Sequence, residues 1–164
     1  MPKVSNFFVN LQPLKHEYGM GRIIAIDYGR KRTGIAVTDE LQLIANGLTT
    51  VPSHELMAWL KAYIAREQVE GIVVGEPRQM NNEPSESLQY IIPFVNRLKK
   101  EFPGMNIEMV DERFSSKMAF QTMIDAGLKK KDRQRKELVD TISATIILQS
   151  YLERRSINKK RENN

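Results

Sequence analysis

Three short apolar runs follow one another in residues 22–51, RIIAIDYGRKRTGIAVTDELQLIANGLTTV. The first run, residues 22–27, is rich in β-branched side chains and ends in an acid, and a glycine and a basic turn follow it. Residues 33–38 and 41–51 predict a second and a third strand, with a bulge or bend at Asn46-Gly47. Three consecutive strands with short connections predict an antiparallel meander.

Helical and extended patterns alternate in the rest of the chain. The predicted elements are a helix over 53–67 capped by Ser53, a strand over 70–75, a helix that begins at Ser85 or Ser87 and ends before Phe102-Pro103-Gly104, a strand over 106–110, and helices over 115–126 and 136–151. Strand-helix-strand connections after a meander imply parallel strands. We therefore predict an α/β fold with a mixed five-stranded sheet, an antiparallel three-strand meander plus parallel strands, flanked by helices.

The chain has the size and composition of one folded domain. It has 164 residues, of which 41% are hydrophobic and 27% charged, which is ordinary for a globular protein. We place the domain at 20–155, an N-terminal extension outside the fold at 1–19, and a basic polar tail, expected to fray, at 156–164. Because no apolar run approaches the roughly 20 residues of a membrane helix and no signal peptide is evident, we expect a cytoplasmic protein.

The residue types that are absent narrow the chemistry. The chain contains no cysteine, which excludes disulfides, thiolate nucleophiles and cysteine-based zinc sites. Its two histidines, His16 and His54, lie outside the motifs described below. Any bound metal must therefore be a hard cation held by oxygen, such as Mg2+ or Mn2+. The net charge of +5 is compatible with a polyanionic partner.

Three acids stand at positions where they could converge. Asp27 ends the first predicted strand, Glu112 follows the strand over 106–110, and Asp140 is the only acid in LVDTISATIIL, residues 138–148. Taken singly, each acid could be a turn residue or a helix cap. If Leu138, Ile142 and Ile146 faced the core, Asp140 would lie at the border of that helix face and could point toward the strand ends.

Converging carboxylates repel one another, and a divalent cation resolves that repulsion. Paired Mg2+ or Mn2+ ions can activate a water and stabilise the leaving oxygen of a phosphodiester. This chemistry needs acids on rigid elements and no nucleophilic side chain. The three acids therefore predict a metal-dependent phosphodiesterase site.

Four motifs occur in order within residues 20–155: IIAIDYGRKRTGIAVTD, VVGEP, DERFSS and ELVDTISATIILQSYL. Together they resemble the YqgF/RuvX family of ribonuclease H-like proteins, described as pre-16S ribosomal RNA nucleases and earlier as Holliday junction resolvases. The resemblance implies a ribonuclease H-like fold. It also implies that Asp27, Glu112 and Asp140 are the metal-binding catalytic acids, which are the three acids reached above.

Other positions match or depart from the family pattern. Tyr28, Gly29, Arg32 and Gly34 match the first motif. Glycine permits a tight turn beside substrate, and Arg32 is either a phosphate contact or a surface charge. Glu76 stands where the family often has leucine, so it is either an outer acid near the site or a surface carboxylate. The turn over 81–84, NNEP, replaces a glycine-containing turn.

A basic run precedes Asp140. Residues 129–136, KKKDRQRK, carry six positive charges: Lys129, Lys130, Lys131, Arg133, Arg135 and Lys136. We predict that they bind phosphates of structured RNA or branched DNA, although such a run is often only a solvated loop. Aromatic residues are not interleaved with this run, so base stacking has no special support.

The predicted activity is metal-dependent hydrolysis of phosphodiester bonds in processing of the 5′ end of pre-16S ribosomal RNA. Alternatives are a Holliday junction resolvase that acts on four-way DNA junctions, and a nucleic-acid-binding or ribosome-assembly factor that does not cut. The segment DYGRKRTG also resembles the phosphate loop of actin-like ATPases and sugar kinases, which need two such domains to close over nucleotide. The sequence leaves monomer and homodimer both open.

Overall fold

The computed structural model describes residues 21–77, 86–111 and 135–164, together with Gln121, Asp125 and Gly127. Its strands are β1 (Arg22–Tyr28), β2 (Arg32–Thr38), β3 (Ala45–Pro52), β4 (Val69–Glu76) and β5 (Asn106–Asp111). Within these ranges the strands form one five-stranded sheet in the order β3-β2-β1-β4-β5. β2 pairs antiparallel with both β1 and β3, and β4 pairs parallel with both β1 and β5. The predicted mixed five-stranded sheet, an antiparallel three-strand meander plus parallel strands, is confirmed.

Helices cover both faces of the sheet. They are α1 (Leu56–Arg66), preceded by a short 3-10 turn, α2 (Leu88–Glu101) and α3 (Lys136–Glu162). One core cluster joins β-strand residues such as Ile24 and Ile26 to α1 and α2. The other joins alternate strand residues to α3. Because successive strand side chains point to opposite faces, the continuous apolar run in β1 can fill both cores. No helix in the described part of the chain is long and apolar enough to cross a membrane.

The meander contains the predicted irregularity. Ile35 pairs with Thr49, whereas the next residue of β2, Ala36, pairs with Gly47. Leu48 is therefore the extra residue of a bulge, as expected from the Asn46-Gly47 pair.

The third strand begins at Ala45 and not at Leu41 as predicted. The carboxylate of Asp39 accepts hydrogen bonds from the backbone N–H groups of Leu41 at 3.2 Å, Leu43 at 2.8 Å and Ile44 at 2.8 Å. These bonds bind the backbone into a loop that competes with strand pairing. The apolar side chains of Leu41, Leu43 and Ile44 had favoured a strand.

The Asp39 loop should weaken in acid. The N–H of Ile44 contributes most to lowering the pKa of Asp39 from 3.8; partial desolvation opposes it, and the N–H groups of Leu43 and Leu41 add to the lowering. Because the folded-state pKa is depressed, this contribution to stability is complete above the unfolded value and is lost as pH falls through the folded value. Hydrogen-exchange protection of these three amides should decrease in that range. In Asp39→Asn the protection should be lower at neutral pH and should lose this acid dependence; equal protection in both proteins would contradict the assignment.

Ser53 does not cap α1 as predicted. Its hydroxyl donates to the carbonyl of Gly29 and lies 2.9 Å from the Thr33 hydroxyl. The N-cap of α1 is Glu55, whose side chain makes no capping hydrogen bond. The hydrogen bond from Ser53 instead connects the start of the helical segment to the turn between β1 and β2.

The last helix is longer than predicted, because α3 continues past Tyr151 to Glu162. The guanidinium of Arg155 donates to the Gln42 side chain at 2.6 Å, and Gln42 in turn donates to the carbonyl of Gly21 and to Glu70. These contacts hold the helix against the start of the sheet. Basic residues in its last turn, Lys159, Lys160 and Arg161, also interact favourably with the helix dipole.

Candidate active site

The parallel strands end together at one edge of the sheet. β1, β4 and β5 run in the same direction, and their last residues include Asp27, Glu76 and Asp111. In sheets of this kind, the carboxyl ends of parallel strands commonly present ligand-binding groups. The predicted acid Asp27 is therefore at the expected edge.

The acids at this edge face opposite sides of the sheet. Ile23 and Ala25 belong to the core beneath α3, so Asp27, two residues on, continues the series on the α3 face. Glu76 continues the series of Ile72 and Val74, which pack on the opposite face. Glu76 is also the register partner of Asp111 on β5. This geometry separates Glu76 from the face that carries Asp27.

Asp140 lies within the sheet-facing stripe of α3. The α3 residues in the core are Ala144, Ile147 and Leu148, with Tyr151 and Leu152 packed against them. Asp140 precedes Ala144 by four residues and therefore belongs to the same helix face. We expected Asp140 at the border of a core face if Leu138, Ile142 and Ile146 formed it; of these three, Ile146 is buried, whereas Leu138 and Ile142 are only partly buried. Their shared face lies about half a turn from the stripe that contains Asp140. Asp140 points more directly at the sheet than expected.

Gly34 brings Asp27 and Asp140 to the same place. Asp27 is directly opposite Gly34 on the neighbouring strand, and paired strands lie about 5 Å apart. A Cβ atom at Gly34 would overlap the backbone carbonyl of Asp140. The main chain of α3 thus sits against β2 at Gly34, where no side chain intervenes. Two of the three predicted acids are brought to the same end of one face.

Arg32 pairs directly with Asp140. Its Nε donates to Oδ2 of Asp140 at 2.9 Å, and the two side chains are 34% and 22% exposed. Arg32 precedes Gly34 by two residues, so it points to the same face of β2. Arg32 is therefore not an isolated charge, and its contact with phosphate stays a prediction. Its guanidinium belongs to the candidate site.

Hydroxyl groups fix the beginning of α3 against β3. Thr50 donates to the carbonyl of Glu137 at 2.7 Å, and its hydroxyl lies 2.7 Å from that of Thr141. Thr141 also shares the Glu137 carbonyl at 2.9 Å. These bonds restrain the helical turn that carries Asp140.

Several predicted site residues lie outside the described residues. Glu112 follows the last residue of β5 in sequence, and its placement is not described; the same holds for Lys129, Lys130, Lys131 and Arg133. Arg135 and Lys136 are described: they stand exposed at the start of α3. Within 21–77, 86–111 and 135–164, no three acidic or histidine side chains cluster closely enough to hold an ion. The predicted trio therefore stays a prediction.

An aromatic cluster at the same edge was not anticipated. The ring of Tyr28 stacks on Phe94 with centroids 4.1 Å apart, and it lies 6.3 Å from the ring of Tyr90. The guanidinium of Arg30 lies 5.0 Å from the Tyr90 ring centroid, within cation-π range. The spacing of Tyr90 and Phe94, four residues apart on a helix, was the available signal. It could not reveal their partner Tyr28, which lies 62 positions before Tyr90 and 66 before Phe94.

Comparison with known proteins gives close relatives. Proteins named "Putative pre-16S rRNA nuclease" are 67% identical in Bacteroides thetaiotaomicron and 58% identical in Porphyromonas gingivalis, each match covering 82% of this chain and 97% of the relative. The relative of the same name in Flavobacterium psychrophilum is 63% identical, over 83% of this chain and 99% of its own.

A more distant likeness is to the solved structure of T. thermophilus RuvC in complex with Holliday junction substrate. It has a TM-score of 0.47 and 19% identity, over 83% of this chain and 96% of that one. The family described as "RuvX: Holliday junction resolvase" matches residues 21–154. The match covers the whole sheet, both core clusters and the Asp27-Gly34-Asp140 contact, and on this match the chain belongs to the RuvX family.

Proposed function

We propose that this chain is a divalent-metal-dependent hydrolase of phosphodiester bonds that processes the 5′ end of pre-16S ribosomal RNA in the cytoplasm. The structural observation that carries the proposal is the approach of Asp27 and Asp140 on either side of Gly34. The RNA substrate is supported by relatives that are 58–67% identical and are named for pre-16S rRNA.

The residues present suit a hard cation. Asp27 and Asp140 supply carboxylate oxygens on one face of the sheet, and we propose Glu112 as the third acid. His54, the histidine among the described residues, is largely exposed and paired with Glu55. Both residues lie in the 3-10 turn before α1 and not on the elements that carry Asp27 and Asp140. Oxygen donors without sulfur or imidazole are the ligands that Mg2+ and Mn2+ prefer. A bound ion would lower the pKa of a coordinated water and stabilise the charge that develops on phosphate oxygens.

The chain's own cations would position the substrate. The side chain of Arg32 reaches the site through its contact with Asp140, and Arg135 and Lys136 stand exposed one turn before Asp140. Guanidinium groups bind phosphate in a bidentate manner, and exposed cations add salt-dependent affinity. We propose that Arg32 meets a phosphate near the scissile bond. Arg135, Lys136 and the preceding basic residues, Lys129, Lys130, Lys131 and Arg133, would hold the flanking backbone.

A four-way DNA junction is the second candidate substrate. The description of the matching family as a Holliday junction resolvase favours it. Both substrates are polyanions and both would be cut by the same carboxylate chemistry, so the site itself does not distinguish them. A factor that binds nucleic acid without cutting it is the third outcome to be tested.

The decisive experiment compares cleavage of two labelled substrates by the purified full chain. A precursor RNA spanning the 5′ end of 16S rRNA and a four-way DNA junction are each incubated with Mg2+, Mn2+ or EDTA. We expect metal-dependent cleavage of the RNA that disappears in EDTA and in Asp27→Asn. If only the DNA junction were cleaved, the substrate would be a recombination intermediate and not precursor RNA. Binding without cleavage under any metal would contradict the proposal that the chain is a nuclease.

A further inference from the structure

The ion pair between Arg32 and Asp140 joins a candidate phosphate-binding cation to a candidate metal ligand. We propose that Arg32 couples metal binding to substrate binding, because it competes with the cation for the Asp140 carboxylate and is released when a phosphate arrives. This inference rests on the proposed function. It adds a testable coupling between the two ligands: cation and nucleic acid should each strengthen the binding of the other.

The geometry of the pair permits such an exchange. Arg32 uses its Nε to reach Asp140, and among the described residues this is its one ion pair. The two terminal amino groups of the guanidinium therefore keep their capacity to donate to a second anion. A phosphate has oxygens at the spacing that this planar fork matches. One side chain can thus serve the carboxylate or the phosphate.

The pair is held by rigid neighbours. Arg32 begins β2, whose register with β1 is continuous through Gly34, and Asp140 lies in the helical turn fixed by Thr50 and Thr141. Both side chains are at most about a third exposed. Charges in such a place are screened by water less than surface charges are, so their mutual effects are larger.

Electrostatics sets the sign of the effect. A divalent cation on Asp140 would lie within a few ångströms of the Arg32 guanidinium, and the two positive charges repel. Arg32 should therefore weaken binding of the cation when substrate is absent. A phosphate between the two cations attracts both and removes the conflict. Since linkage is reciprocal, the cation must strengthen phosphate binding by the same factor.

A purely structural role would give the opposite sign. If Arg32 only held the Asp140 side chain in a ligating orientation, its removal would weaken binding of the cation. The two explanations therefore differ in the direction of one measured constant. The test does not depend on catalysis.

The effect of Arg32 on cation binding is tested by titrating the full chain with Mn2+. The electron paramagnetic resonance signal of free Mn2+ reports how much of the ion is bound. In Arg32→Gln we expect binding roughly five- to tenfold tighter than in the wild-type protein. The matched control is Arg22→Gln. Arg22 also donates its Nε to a carboxylate, that of Glu67 at 3.4 Å with side-chain exposures of 27% and 35%, but at the opposite end of β1. This control should bind Mn2+ as the wild type does.

The coupling between nucleic acid and cation is tested with an RNA duplex that has phosphorothioate linkages. A gel run after the measurement checks that the duplex is intact. Adding the duplex should tighten Mn2+ binding several-fold in the wild type and should change it little in Arg32→Gln. Arg32→Lys keeps a charge without the fork, so it should still oppose the cation but lose most of the coupling. This variant also serves if Arg32→Gln does not fold.

Two results overturn the inference: unchanged or weaker Mn2+ binding in Arg32→Gln, or equal coupling in the wild type and the variant. Failure of the proposed function would look different. If Asp140→Asn bound Mn2+ as tightly as the wild type, Asp140 would not be a ligand, whatever Arg32 did.

Discussion

Replacing Asp140 with asparagine should lower the rate of phosphodiester cleavage by about a thousandfold or more. The change is nearly isosteric, so α3 should still pack on the sheet through Ala144, Ile147 and Leu148. It removes one negative charge from the site and leaves Arg32 without its carboxylate partner. Loss of outer partners of a metal ligand commonly costs 10- to 100-fold, so loss of a direct ligand should cost more.

Single-turnover cleavage of the precursor RNA is the measurement, with binding of the same RNA measured in parallel. Binding should stay within a few-fold of wild type, because the released Arg32 can still meet a phosphate. The matched control is Glu137→Gln, which removes the same charge from an exposed position one turn earlier in α3. Activity of Asp140→Asn above about a tenth of wild type, or an equal loss in the control, would contradict the assignment.

Replacing Gly34 with alanine should destabilise the protein by about 3 kcal/mol, at the upper end of ordinary overpacking effects. The added Cβ would overlap the carbonyl group of Asp140, which is main chain and cannot rotate away as a flexible side chain would. Relief requires α3 to move off β2. That movement would also separate Asp140 from Asp27, so cleavage should fall even under conditions in which the variant remains folded.

Urea unfolding followed by circular dichroism measures the stability change. Gly71→Ala is the matched control, because Gly71 is also a buried strand glycine, but its added Cβ would meet the carbonyl oxygen of Asn106 at 3.4 Å, an ordinary contact. The control should change the free energy of unfolding by less than about 1 kcal/mol. If both variants unfolded at the same urea concentration, the close approach at Gly34 would not limit packing.

Much of the sheet could be predicted because its signals are local. The β-branched run of β1, the basic turn and β2 lie within 17 consecutive residues, Arg22–Thr38, and neighbouring strands in sequence usually pair. The parallel placement of β4 and β5 follows from the helices that separate them from the strands before. The same reasoning placed Asp27 at the carboxyl edge.

The rotation of α3 could not be predicted from its periodicity. Leu138, Ile142 and Ile146 satisfy helical spacing, but so do Ala144, Ile147 and Leu148. The second set joins the core cluster between the helix and the sheet, whereas of the first set Ile146 is buried and Leu138 and Ile142 are only partly buried. The deciding contact is the backbone approach at Gly34, which lies on another element. A small residue in a strand gives no indication of which helix will lie against it. Sequence reasoning therefore reached Asp140 but placed it at the border of a helix face and not within the stripe that faces the sheet.

Contacts between residues far apart in the sequence could not be predicted either. Arg32 and Asp140 are separated by 108 positions, and Arg155 and Gln42 by 113. The match to the family's first motif suggested a phosphate contact for Arg32 but not its carboxylate partner. The polar composition of residues 156–164 suggested fraying, yet helix-favouring arginine and lysine residues and the Arg155 anchor extend α3 to Glu162.

The side chains of the last two residues of β1 lie on opposite faces of the sheet, so the length of that strand is critical. Asp27 faces α3, whereas Tyr28 stacks on Phe94 of α2. Inserting or deleting one residue between Arg22 and Asp27 would exchange the sheet faces of these two side chains. A charged group would then enter the aromatic core, and a phenol ring would lie toward the acids. Such single-codon length changes should therefore be far less tolerated here than in the loop between Asp39 and Ala45.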